Sequence, residues 1–157
     1  MSDSSFFKNY IQLFIQGNHK HLLFNPYQVL LDNGQIQSVS LCPNSKKKPI
    51  KRCINNSIEA LLEGEVSGYV EGFMFLMMPI PHAWNQNHDG TWVDYTVPDN
   101  RENSTYYGMV IPKEILFSVV TLPEWSMCTG VIQTLAMTKN KEVKKEAFQI
   151  FQKYCYI

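Results

Sequence analysis

Three side chains suited to acyl chemistry lie in one stretch, Arg52 to Thr96. Cys53 stands in Arg52-Cys53-Ile54-Asn55-Asn56, His82 in Pro81-His82-Ala83-Trp84-Asn85, and Asp94 in Trp92-Val93-Asp94-Tyr95-Thr96. Nucleophile, base and orienting carboxylate follow in that order. A free thiol is mostly protonated at neutral pH, so a working cysteine needs help to become a thiolate. Cys53 has three sources of help: the N-terminus of a helix, the cations Lys51 and Arg52, and an imidazole from a nearby strand. The N–H groups at the helix start could also receive the oxyanion of a tetrahedral intermediate. Each residue has a plainer reading too. Cys53 can be an inert helix residue, His82 a satisfied core histidine, and Asp94 the cap of a turn with Thr96.

The elements that must hold these residues are readable from pattern. Arg52 to Glu63 has apolar Ile54, Ile58, Leu61 and Leu62 at helical spacing, with Gly64 as a stop. Tyr69 to Met78 reads as a buried strand, and its methionines as core filler. His82 to Asn87 and Thr91 to Val97 read as two further strands joined at His88-Asp89-Gly90. Loop length decides whether the histidine and the aspartate share a face. A two-residue turn pairs Asp94 with Asn85 and turns the two apart. A three-residue loop pairs Asp94 with Trp84 and makes His82 and Asp94 diagonal neighbours. Gly90 suits the left-handed position that such a loop requires, so the three-residue loop is expected.

Softer candidates flank the three. Asn56 lies one turn beyond Cys53 and is a candidate donor to the oxyanion or the substrate, or else makes a structural hydrogen bond. Trp84 shares the face of His82 and either walls the site or packs in the core. Glu71, on a buried strand, needs a partner; it either pairs with Arg52 or Lys51, which is the expectation, or reaches substrate. His88, Cys42, Cys128 and Cys155 are left outside the site.

A cysteine followed by a helix, a strand carrying His82-Ala83-Trp84, then Trp92-Val93-Asp94-Tyr95-Thr96 resembles the transglutaminase-like branch of the papain-like cysteine hydrolases. The resemblance implies that Cys53 attacks an amide carbonyl, His82 shuttles the proton and Asp94 orients it. It implies an acyl-enzyme on Cys53, with protein glutamine or peptide amides as substrates and hydrolysis or transamidation as outcomes. With Tyr69-Val70-Glu71-Gly72 added, the set is also similar to small stand-alone phage and bacterial proteins. Tyr95 stands where the branch usually has proline, and Ile54 where it often has an aromatic residue. The alternative is an inactive binding or inhibitor protein on the same scaffold, such as a phage product acting on a host factor.

The rest of the chain sets bounds. At 157 residues, 45% of them hydrophobic, a single domain with a sizeable core is expected. Lysine plus arginine and aspartate plus glutamate each number 14, so no overall field draws nucleic acid or a membrane. Only Lys46 to Arg52 offers a basic patch, and it lacks interleaved aromatics. Residues 73–81 are too few to span a bilayer. The first residues lack the basic and apolar regions of a signal peptide. The four cysteines form no CxxC pair, so reduced thiols and a cytoplasmic setting are expected. His19 and His21 lack further ligands nearby, and neither metal nor cofactor is expected.

The expected fold is α+β: a three- to five-stranded antiparallel sheet with the cysteine helix packed on it in a papain/transglutaminase-like core. Helices flank that core at both ends. Ser4–Gln16 and Lys141–Tyr154 have amphipathic spacing, and Lys113–Val120 follows Pro112, a good helix starter. Tyr106–Ile111 reads as a strand. Tyr27–Leu31 and Ile36–Leu41, around the turn signal Asp32-Asn33-Gly34, read as a hairpin.

Overall fold

The structure, a computed structural model, describes residues 4–18, 25–97, 104–154 and 156. His19, His21, Cys155 and most of the polar segment after Val97 lie outside the described residues. Two helices come first, α1 (Ser4–Asn18) and α2 (Pro26–Asn33). Short strands β1 (Gln35–Ile36) and β2 (Val39–Leu41) lead through a 3-10 turn, Asn44–Lys46, to helix α3 (Cys53–Leu62). Strands β3 (Gly68–Phe75), β4 (Pro79–Gln86), β5 (Trp92–Asp94) and β6 (Thr105–Ile111) follow. Helices α4 (Lys113–Val119), α5 (Gly130–Met137) and α6 (Lys141–Lys153) close the described fold.

The fold is α+β, as expected, but its sheet is larger than expected and not wholly antiparallel. Six strands lie in the order β1-β6-β3-β4-β5-β2, and β2 runs parallel to β5. The sheet is curled. Its centre is the antiparallel set β6-β3-β4, with Gly72 of β3 opposite both His82 and Gly108. A Cβ on Gly72 would lie 2.1 Å from the Tyr107 carbonyl oxygen, so only glycine permits the backbones to meet this closely.

The expected hairpin around Gly34 is overturned. Residues 26–33 are helical: Pro26 occupies the first turn and the Asn25 side chain accepts from the Tyr27 N–H at 3.0 Å. A capping asparagine followed by proline is a helix start, and it outweighs the strand propensity of Tyr27–Leu31. The expected strand Ile36–Leu41 is divided between β1 and β2 at opposite edges of the sheet, while the remaining elements match expectation within a few residues. β4 begins earlier, at Pro79. It pairs with β5 only at Asn85 and Gln86, so Pro79 and Pro81 lie where the strand has one neighbour and a missing N–H is tolerated.

Two apolar clusters cover the two faces of the sheet. On one face Tyr69, Phe73, Ala83, Tyr107, Met109 and Ile111 pack against the helices. On the other, Val70, Met74, Trp84, Trp92, Val97 and Tyr106 form a smaller, aromatic-rich cluster. Helix α3 sits on the larger cluster through Ile54, Ala60 and Leu61; burying an Ile or Leu contributes roughly 1.5–3 kcal/mol. Leu62, placed on that face by spacing alone, is instead exposed. No described helix is long and apolar enough to cross a membrane.

Candidate functional site

The loop between β4 and β5 determines the site. Asn85 pairs with Val93 and Gln86 with Trp92, and the Asn87 N–H donates to the Thr91 carbonyl at 2.8 Å. His88, Asp89 and Gly90 form the loop, with Gly90 at φ +87°. This is the three-residue connection, and it sets Asp94 level with Trp84. The His82 and Asp94 side chains therefore meet, with His82 Nε2 2.6 Å from Asp94 Oδ2.

Asp94 is saturated. Its Oδ1 accepts from the Thr96 and Val97 N–H groups at 2.7 and 3.1 Å. Its Oδ2 also accepts from the Tyr106 hydroxyl at 2.9 Å. The carboxylate thus caps a turn and orients an imidazole at once. Burial pushes its pKa up, but the His82 charge and these donors bring the net shift below the usual value.

With Nε2 turned to Asp94, Nδ1 is the ring nitrogen left for Cys53. Burial lowers the His82 pKa, yet the Asp94 charge and hydrogen bond, together with Cys53, raise it to about 10. For Cys53 burial pushes the thiol up, while hydrogen bonding and charge from His82 and the Ala83 N–H hold it below its ordinary value. These shifts favour an imidazolium–thiolate pair. Lys51 and Arg52 are exposed and are not the cause of the Cys53 shift, which corrects the expectation from their position.

The Ala83 N–H is available for a reason rooted in register. Asn87 donates toward β5, and N–H direction alternates along a strand, so Ala83 points the same way. There β5 provides no partner, and the sulfur of Cys53 takes its place. The segment before Cys53 is tied to the strand of Asp94: the Cys42 N–H donates to the Asp94 carbonyl at 3.1 Å and the Lys48 N–H to the Tyr95 carbonyl at 2.9 Å. No side chain caps the start of α3.

Of the two readings offered for Asn56 and Trp84, the structure shows the structural hydrogen bond and the core packing, not the substrate-facing roles. The Asn56 amide donates to the Pro49 carbonyl at 2.7 Å and to Thr96 Oγ1 at 2.8 Å, so both its hydrogens are used in tying two segments together. Trp84 is fully buried and stacks behind the His82 ring at 6.0 Å between centroids. It backs the histidine and does not line the cavity in front of it. Three residues escaped the sequence reading. Tyr106 comes from β6, across the sheet. Asn85 donates to the Ser57 carbonyl at 2.9 Å and the Gly68 carbonyl at 3.1 Å, fixing α3 to the strands. Ala83 contributes only its backbone.

Glu71 does not pair with Arg52 or Lys51. Its Oε2 accepts from the Tyr69 hydroxyl and the Val131 N–H, each at 2.7 Å, and its Oε1 from the Ile132 N–H at 2.8 Å. It thereby caps α5. Burial raises its pKa against the pull of those donors.

Cys53 and His82 open onto a cavity of about 600 Å³, also lined by Glu71, Lys51 and Cys128. Among the described residues no group of histidine, cysteine and acidic side chains is arranged to hold a metal ion. No protein-family model matches the chain, and neither does any curated protein or solved structure.

Proposed function

We propose that this protein is a cysteine-dependent amide hydrolase or acyl transferase, with Arg52–Thr96 as a transglutaminase-like core and a protein or peptide amide as substrate. What supports this most is the bond from His82 Nε2 to Asp94 at 2.6 Å on a ring whose other side interacts with Cys53 at a cavity wall. In this reading Cys53 adds to the carbonyl as thiolate and the oxyanion meets the uncapped N–H groups of α3. His82 gives its proton to the leaving amine, and an acyl-enzyme remains. Water or an amine then gives up a proton to His82, attacks the thioester carbonyl and releases Cys53 as thiolate. The reaction needs reduced thiols, and so a compartment that keeps them reduced.

The test is mass spectrometry of the protein after reaction with a chloromethyl ketone peptide mimic. A single adduct on Cys53, lost in Cys53→Ala while the variant stays folded by circular dichroism, is the expected result. Cys128 also borders the cavity and Cys42 is buried. An adduct on either of these in place of Cys53 would refute the nucleophile assignment. Retention of biological effect by Cys53→Ala would favour the inactive binding scaffold instead.

A further inference from the structure

The wall of the cavity is divided. Cys53 and His82 lie on it together with Glu71, and much of the remaining lining is apolar. Phe14, Tyr27, Leu30, Ile54, Phe73 and Ile132 line it, and all of these but Phe14 are buried core residues. Phe14 stacks on Tyr27 at 5.0 Å and lies 5.8 Å from Phe73, giving the inner end an aromatic wall. At the mouth Ile50 and Met127 are also apolar, and both are at least half exposed. Besides Lys51 and Gln133, which also border the cavity, several polar groups on the wall serve the protein itself. Both Glu71 oxygens accept internal hydrogen bonds, Thr96 Oγ1 accepts from Asn56, and Thr129 Oγ1 bonds within its own loop and to Thr134.

A glutamine side chain or a polar peptide reaching the aromatic end, among Phe14, Leu30, Phe73 and Ile132, would exchange water for apolar surface. Desolvated amides without partners are penalised. An apolar chain faces no such cost, and the cavity volume falls in the range of sites that enclose small organic ligands. We propose that the acyl group delivered to Cys53 is a long apolar one, an aliphatic or aryl-aliphatic chain that occupies the space between α1, α2, β3 and α5. This rests on the acyl-enzyme reading above and, within it, replaces the glutamine or polar peptide acyl group with that of a hydrophobic acid.

N-acetylcysteamine thioesters of acetate, butyrate, octanoate and dodecanoate isolate the acyl site, because their leaving group is the same, small and polar. Cys53 thiolate adds to the thioester carbonyl, and collapse of the adduct expels N-acetylcysteamine thiolate, which takes the His82 proton. Water then loses a proton to His82, adds to the acyl carbon, and frees the carboxylic acid and the Cys53 thiolate. The rate of adduct formation, read by intact mass, is expected to rise at least about 100-fold from acetate to octanoate. Full burial would give roughly fourfold per methylene, so this allows for incomplete contact. Leu30→Trp, which fills the inner end, should bring the octanoate-to-acetate ratio close to one. Ile50→Asp at the exposed mouth, where folding is not at stake, should lower it several-fold.

Equal rates along the series, with the adduct still on Cys53, would overturn the apolar-acyl inference and leave the acyl-enzyme reading intact. No adduct from any member, or adducts that survive Cys53→Ala, would overturn both. An undiminished ratio in Ile50→Asp and Leu30→Trp would place the chain elsewhere and overturn the inference alone.

Discussion

Among the described residues Asp94 and Glu71 are the two buried carboxylates of the sheet, and they stand on opposite faces of it. Each is almost fully removed from water, and each accepts hydrogen bonds from two backbone N–H groups and a tyrosine hydroxyl. One difference separates them: Asp94 also faces His82. The pKa of Asp94 falls while that of Glu71 rises. Neutral donors soften the cost of burying a carboxylate, but a cation reverses it. The same local chemistry thus yields a charge that holds an imidazolium on one face, and on the other an acid that holds a helix.

Removing each carboxylate separates the two roles. Asp94→Ala leaves His82 without its partner and is expected to slow acylation of Cys53 by about 10³-fold or more, measured by stopped-flow with a thioester probe. A loss below tenfold would mean that Asp94 only caps its turn. Glu71→Ala strands the Tyr69 hydroxyl and the first N–H groups of α5. It should cost about 3 kcal/mol of stability, read from urea unfolding. Glu71→Gln, which keeps an acceptor, should cost less than half of that.

A smaller effect concerns pH. His82 has a folded pKa raised from 6.5 to about 10, so the stability it contributes is complete below pH 6.5 and is lost as pH rises through about 10. Cys53 shifts the other way, and its contribution is lost as pH falls through its lowered pKa. Between the two lies the ion pair, and the rate of iodoacetamide alkylation of Cys53 should be level across that window. Asp94→Asn removes the charge that raises His82, and should bring the alkaline edge down by one to two pH units, about 10- to 100-fold in imidazolium population. An unmoved edge would show that some other group raises His82. The acidic carboxylate terms are opposed in the same way. The contribution of Asp94 is lost as pH falls through its lowered pKa, and that of Glu71 is lost as pH rises through its raised one.

Half of this arrangement was legible in the sequence. Cys53, His82 and Asp94 could be named because their segments carry local signals: a helix period after the cysteine, alternation around the histidine, and a loop ending in Gly90. Register follows from loop length, so the facing of His82 and Asp94 could be worked out without coordinates. Tyr106 could not, since β6 reaches Asp94 only by lying beside β3, and no local pattern specifies that pairing. Partners of Glu71 were misassigned for the same reason. A nearby charge in sequence, Arg52 or Lys51, looked sufficient, whereas the acceptor was filled by N–H groups some sixty residues later. The miss at α2 is of another kind. Its signal is local, in Asn25-Pro26, and competes with the β propensity of Tyr27–Leu31. Asn56 and Trp84 each have two readings in the sequence, and the structure shows the structural one: Asn56 joins segments and Trp84 backs a ring.

The smallest expected effect tests the backbone on either side of the same comparison. Gly130 begins the helix that Glu71 caps, and Gly90 ends the loop that delivers Asp94. Both have positive φ, +67° and +87°, where an alanine pays a strain of about 1 kcal/mol. A Cβ on Gly130 would also lie 2.7 Å from Glu71 Oε1, whereas at Gly90 it would meet nothing within 4 Å. Gly130→Ala should therefore cost clearly more than Gly90→Ala in urea unfolding, and its excess should vanish when Glu71 is already alanine. Gly90→Ala should cost about 1 kcal/mol in either background. Equal costs for the two glycines would mean that the α5 terminus can move away from Glu71, and that the carboxylate holds its helix less firmly than Asp94 holds His82.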